Sequence, residues 1–222
     1  MLLRHFRCSG VGWERAHARV DAALEALGFP RSSRRHDTVG FLRWMGLEEA
    51  LAREHGWSRQ LGEIARFDER WSEAVDYYER AAEAYRDLGG RMGHVARLNR
   101  AMADIPNGDH DRARETFEEL AETLPAVGLA SRLPRVHLGL AACAAADGEW
   151  QVWDERIARW EASADEFGKP HGDDAWLAEL NGDYAGEAGH RERAARMYRV
   201  SMRLWDELGR DERADGVRAK LE

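Results

Sequence analysis

Four short stretches, Arg66-Phe67-Asp68-Glu69-Arg70-Trp71, Asn107-Gly108-Asp109-His110, Asp147-Gly148-Glu149-Trp150 and Ala188-Gly189-His190-Arg191, decide the architecture. Each reads as a tight turn between two runs of helix-forming residues. Their reference positions, Glu69, Gly108, Gly148 and Gly189, step by 39, 40 and 41 residues. A second landmark keeps the same phase. Helix-ending signals stand at Leu88-Gly89, Val127-Gly128, Phe167-Gly168 and Leu208-Gly209, and those glycines also step by 39, 40 and 41. Two landmarks repeating in register define a unit of helix A, short turn, helix B and loop.

The residues between the landmarks support helices throughout. Ala, Leu, Glu and Arg dominate, and period-two alternation of Val, Ile and Thr is almost absent. Tyr77 to Tyr85, Glu115 to Glu122 and Ala194 to Trp205 carry apolar residues at spacings of three and four. The five prolines, Pro30, Pro106, Pro125, Pro134 and Pro170, fall where helices would begin or end.

Inside each unit, a small residue precedes the turn position by seven: Gly62, Ala101, Ala141 and Gly182. Helix B has a small residue at Ala74, Ala113 and Ala194, with Trp153 the exception. Four positions on come Tyr78, Phe117, Ile157 and Tyr198. The next small position is kept by Ala81 and Ser201 but not by Leu120 or Trp160. Small residues let two helices approach, and large ones fill the space between hairpins. This pattern resembles the tetratricopeptide repeat in a lengthened form of about forty residues. The third unit, with Trp150, Trp153 and Trp160 on one helix, departs furthest, and looser or altered packing is expected there.

The resemblance implies an all-α fold: antiparallel helix hairpins stacked in a right-handed superhelix, an α-solenoid. Residues 55–209 would form four repeats, 1–54 a partial repeat plus an extra helix, and 210–222 a capping helix, in one continuous domain. The chain also resembles the C-terminal repeat region of large bacterial multidomain regulators, and Leu27-Gly28-Phe29-Pro30-Arg31, as a turn before a helix, adds to that resemblance.

Composition narrows the function. The 222 residues carry 33 Lys+Arg against 41 Asp+Glu, for a formal charge of -8. That balance excludes a generally basic nucleic-acid binder. No apolar run approaches the roughly 18–20 residues that span a bilayer. Arg4, His5 and Arg7 interrupt the first apolar stretch, so a secretory signal is not expected. Two cysteines, Cys8 and Cys143, fit free thiols in a reducing compartment, and a cytoplasmic location is expected. Only two of the cations are Lys (Lys169 and Lys220), which reads as GC-rich bacterial coding bias.

Searching for chemistry yields little. There is no phosphate loop, no His-Glu-x-x-His pair, no Cys-x-x-Cys and no G-x-S-x-G elbow. His171, Asp173 and Asp174 read as a loop and helix N-cap, with Asp173 or Asp174 before Trp176 capping the first turn, in preference to a metal site. Asn107 to Asp111 lacks the ligand spacing of a calcium loop. Arg31, Arg34 and Arg35 form the clearest basic cluster and read as a solvated loop. No catalytic residues, cofactor or metal are expected.

A stack of hairpins presents an extended concave face. The resemblance implies that helix A positions not used in packing meet a partner there. These are Arg59, Gln60, Glu63 and Arg66 in the first unit, Asn99 and Met102 in the second, Arg135 and Leu138 in the third, and Trp176, Glu179 and Asp183 in the fourth. Asn99 resembles the family amide that bonds a ligand backbone, because an amide both donates and accepts. Arg59, Arg66 and Arg135 suit acidic side chains, while the family's lysine clamp is missing. Those three cations face three acids (Glu63, Glu179 and Asp183), so the wall is near neutral and unsuited to nucleic acid. The expected function is a non-catalytic scaffold binding a protein or peptide, as a sensing or assembly module of a bacterial regulatory system. The alternative is a regulatory or enzymatic helical domain.

Overall fold

The computed structural model describes residues 58–86, 91–167 and 169–221. The chain packs as two units, Met1–Glu54 and His55–Glu222, and every described residue lies in the second. The expectations for residues 1–57, for Leu88-Gly89 and for Gly168 fall outside the described residues.

The described residues are helical, with no strand among them. The first hairpin is α1 (Ser58–Phe67) and α2 (Trp71–Arg86), and the second is α3 (Arg91–Asp104) and α4 (His110–Ala126). A 3-10 turn at Ala130–Arg132 leads into the third, α5 (Leu133–Ala146) and α6 (Trp150–Phe167). The fourth is α7 (Gly172–Glu187) and α8 (Arg191–Glu207), followed by α9 (Asp211–Ala219). Helices pack against their neighbours in sequence: α2 on α3, α4 on α5, and α9 on α8. The step into the fourth hairpin is carried mainly by α5 on α7. This is the sequential, repeat-like packing of an α-solenoid.

All four turn positions take the left-handed conformation, with φ of 58° at Glu69, 88° at Gly108, 72° at Gly148 and 80° at Gly189. Each closes its helix with the same pair of backbone bonds. At the second turn, Asp109 N–H donates to Asp104 O at 2.9 Å and Gly108 N–H to Ile105 O at 3.0 Å. At the fourth, His190 N–H donates to Ala185 O and Gly189 N–H to Gly186 O. This double closure uses up helix-end carbonyls that water would otherwise have to satisfy. Gly128 and Gly209, predicted helix ends, are closed the same way.

The small positions do the work their spacing implies in the first and fourth hairpins. A Cβ on Gly62 would lie 2.7 Å from the Tyr78 ring, and one on Gly182 would lie 2.5 Å from the Tyr198 ring. Phe117, at the matching position of the second hairpin, instead lies against Gly139 of the following helix, where a Cβ would come within 2.3 Å. The core is continuous from Leu98 and Phe117 through Leu138 and Trp153 to Leu177 and Met197. Helix α5 is apolar on nearly every side, the mark of a helix covered all round.

The third hairpin is altered but not loosened. Trp153 is fully buried, and Trp160 nearly so. The Trp153 indole N–H donates to Asn181 Oδ1 at 2.8 Å. Asn181 in turn donates to the carbonyls of Leu138 at 3.1 Å and Leu177 at 2.8 Å. A large side chain at a small-residue position is thus turned into a tie between successive hairpins.

Candidate functional site

Polar residues on the first helices of the hairpins, where the repeat register places the wall, come together across the whole stack. On α1, Glu63 and Arg66 are an i,i+3 pair on one face, with Arg66 Nη2 3.1 Å from Glu63 Oε2. Asn99 of α3 donates to the other Glu63 oxygen at 2.8 Å. Arg66 also reaches Asp173, in the first turn of α7, at 2.7 Å. Arg135 of α5 binds Asp174 at 3.0 Å and stands 3.6 Å from Asp173. Glu63, Arg66, Asn99, Arg135, Asp173 and Asp174 therefore form one network joining all four first helices.

Aromatic rings flank it. Trp71, at the start of α2, stacks on Trp176 of α7 with ring centroids 6.0 Å apart. The Arg66 guanidinium lies 5.6 Å from the Trp176 ring. Tyr78 is fully buried beneath, close to the Arg66 guanidinium and the Glu63 carboxylate. Burial, then the Glu63 carboxylate, holds the Tyr78 phenol well above its ordinary value. Asp173 is pushed up by burial, but Arg66 and Arg135 outweigh this and hold its carboxyl below the usual range. For Asp174, burial wins over Arg135 and raises it.

The remaining wall positions divide sharply. Arg59 and Gln60 are half-buried on α1, and Arg59 makes only a loose 3.9 Å contact with Glu63. Glu179 and Asp183 are taken by the end of the chain: Lys220 Nζ lies 2.9 Å from Glu179 and 2.7 Å from Asp183. Tyr198 also donates to Asp183, at 2.9 Å. Met102 and Leu138 correct the register-based expectation. Both are 0% exposed and belong to the core, so neither offers a surface to a partner. The reason is local: Ala101 and Ala103 flank Met102 and Gly139 follows Leu138, so neighbouring helices close over these positions.

The N-cap of α7 also differs from expectation. His171 is the cap, its Nδ1 accepting from Asp173 N–H at 3.1 Å. That leaves both acids free to reach the arginines. Their part in the wall was missed by sequence reasoning, although a signal existed. In the repeat register Arg135 matches Trp176, and Asp173 lies one helical turn before it. Arg132 was missed too. It is half-buried beside Arg135, and burial and that neighbour pull its guanidinium below the ordinary value.

Chemistry elsewhere is sparse. Cys143 is buried among alanines, and burial pushes its thiol up to about 12. His137 is driven down to about 4 by burial and by Arg156 and Arg159. Among the described residues no group of three His, Cys, Asp or Glu side chains is placed to hold a metal, and no helix is long and apolar enough to cross a membrane. On the second helices, arginines pair across successive hairpins: Arg156 with Glu118, Arg193 with Asp154 and Arg196 with Glu161.

No family model and no curated protein matches the chain. Among solved structures it is similar to BtubC (BKLC) from P. vanneervenii, at 13% identity over 94% of this chain and 89% of that one, with a TM-score of 0.49.

Proposed function

We propose that this chain is a non-catalytic, tetratricopeptide-like scaffold that binds a protein or peptide partner on the inner wall of its first helices, as a sensing or assembly module of a bacterial regulatory system in the cytoplasm. One observation carries the reading. The core of the stack is apolar, yet each first helix contributes a polar side chain to a single wall: Glu63 and Arg66, Asn99, Arg135, and Asp173 with Asp174. Glu63, Asp173 and Asp174 are half-buried, Arg66, Asn99 and Arg135 are buried behind them, and with the Trp71 and Trp176 rings they would give a peptide both hydrogen-bond partners and apolar contact.

The test compares wall and outer face in one capture experiment. Asn99→Ala and Trp176→Ala should keep the far-UV helical signal and lose partners that the unaltered chain retains. Arg159→Ala, on the exposed face of α6, should keep them. Equal loss from the outer-face variant, or none from the wall variants, overturns the assignment.

A further inference from the structure

The wall that would receive a partner is occupied by the protein itself. Arg66 and Arg135 are 9% and 4% exposed at the side chain, and both are ion-paired with the Asp173-Asp174 pair at the start of α7. Asp173 lies between the two arginines, 2.7 Å from Arg66 and 3.6 Å from Arg135, while Asp174 holds Arg135 alone. The Arg66–Asp173 contact joins residues 107 positions apart, the first helix of the stack to the fourth. The Trp71–Trp176 stack closes the same seam.

We propose that Asp173 and Asp174 act as an internal occupant that clasps the inner wall shut, and that an acidic peptide segment opens it by taking Arg66 and Arg135 from them. The inference rests on the wall being the partner surface and concerns its regulation.

Three observations favour a carboxylate-bearing opener over a basic one. The cations gathered here are Arg59, Arg66, Arg132 and Arg135, against the acids Glu63, Asp173 and Asp174. Arg132 forms no ion pair among the described residues, so the seam holds one positive charge more than its own acids answer. A buried donor also stands beside it, since Arg66 Nε meets no acceptor at hydrogen-bonding geometry. A guanidinium reads a carboxylate through paired N–H donors, which is how Arg135 already holds Asp174 through Nε and Nη2. Because the internal acids are tethered, they compete at a high effective concentration, on the order of millimolar for a short tether. The closed wall therefore binds a free acidic peptide weakly until the internal pair is weakened.

The experiment uses the full chain and a fluorescein-labelled tetra-aspartate peptide, with tetra-lysine as control. Asp173→Asn with Asp174→Asn keeps shape and one acceptor oxygen on each side chain but removes both charges and the paired acceptance from Arg135, and His171 still caps the helix. Tetra-aspartate should bind this double variant at least tenfold tighter than the unaltered chain, and adding Arg135→Gln should erase the gain. Tetra-lysine should gain nothing. A folded double variant with no gain for tetra-aspartate, or with an equal gain for tetra-lysine, overturns the proposal.

Should the double variant lose its helical signal, hydrogen exchange on the unaltered chain replaces it. Tetra-aspartate should then speed amide exchange at residues 58–67 and 172–178 and leave 150–167 unchanged, and uniform exchange overturns the clasp. The two readings fail separately. Loss of partner capture in Asn99→Ala alongside no tetra-aspartate gain removes the clasp and keeps the wall, whereas unchanged capture removes the wall itself.

Discussion

The fourth hairpin and the third solve the same packing problem in opposite ways. In the fourth, Gly182 on α7 has no side chain, and the Tyr198 ring of α8 lies where a Cβ would stand, 2.5 Å away. The approach is settled within one hairpin. In the third, Trp153 stands where the other units keep alanine, and its indole N–H is answered from the next hairpin by Asn181. There the approach is settled between hairpins. Repeat arrays owe their stability to terms within a repeat and terms at interfaces between neighbours. Gly182 belongs to the first kind and Trp153 to the second, so changes at the two positions should differ in reach as well as size.

Trp153→Ala should have the largest effect. It removes a fully buried indole and leaves Asn181 Oδ1 without its donor, at a cost of about 3–5 kcal/mol. Urea denaturation followed by far-UV circular dichroism measures it. Asn181→Ala should cost about 1–3 kcal/mol, because the Trp153 N–H is then buried without an acceptor. Hydrogen exchange should quicken in both the third and fourth hairpins of either variant. Protection lost in the third hairpin alone would show that the tie carries no coupling.

Gly182→Ala should cost about 1–3 kcal/mol through overpacking against Tyr198, with lost protection confined to α7 and α8. Gly62→Ala meets Tyr78 in the same way, at 2.7 Å. A mild effect at both glycines would mean that the rings slide aside and that the glycines do not set the hairpin geometry.

The same contrast explains what the sequence disclosed. Turn positions and small residues were legible because backbone geometry acts locally: a residue that must turn left-handed, or be small, shows itself by type and spacing. The helical stack followed from Gly108, Gly148 and Gly189 in this way. The wall was only half legible. Register located Glu63, Arg66, Asn99 and Arg135 on first helices, but their partners depend on how the stack bends. That bend brings the end of α1 to the start of α7, and no periodicity in the chain encodes a contact between Arg66 and Asp173. Met102 and Leu138 misled for a related reason. A helix position that is free in an isolated hairpin can be covered by the next one. Trp153 broke the small-residue rule openly, yet its compensation by Asn181 lies 28 residues away in a different hairpin.

The smallest expected effect is at the turn that breaks its own pattern. Gly108, Gly148 and Gly189 meet the left-handed requirement without a side chain, whereas Glu69 meets it at φ 58° with a Cβ in place. An L-residue with a side chain is disfavoured there by roughly 1–2 kcal/mol. Glycine removes that strain but adds freedom to the unfolded chain, which offsets part of the gain. Glu69→Gly should therefore stabilise the protein by about 0.5–1 kcal/mol. Gly148→Ala, which imposes the strain where nothing crowds the added Cβ, should destabilise it by a similar amount. Thermal melts of the two variants should shift in opposite directions. Shifts of the same sign would mean that the first turn is not equivalent to the other three, and that its glutamate is held by something other than the closure the four turns share.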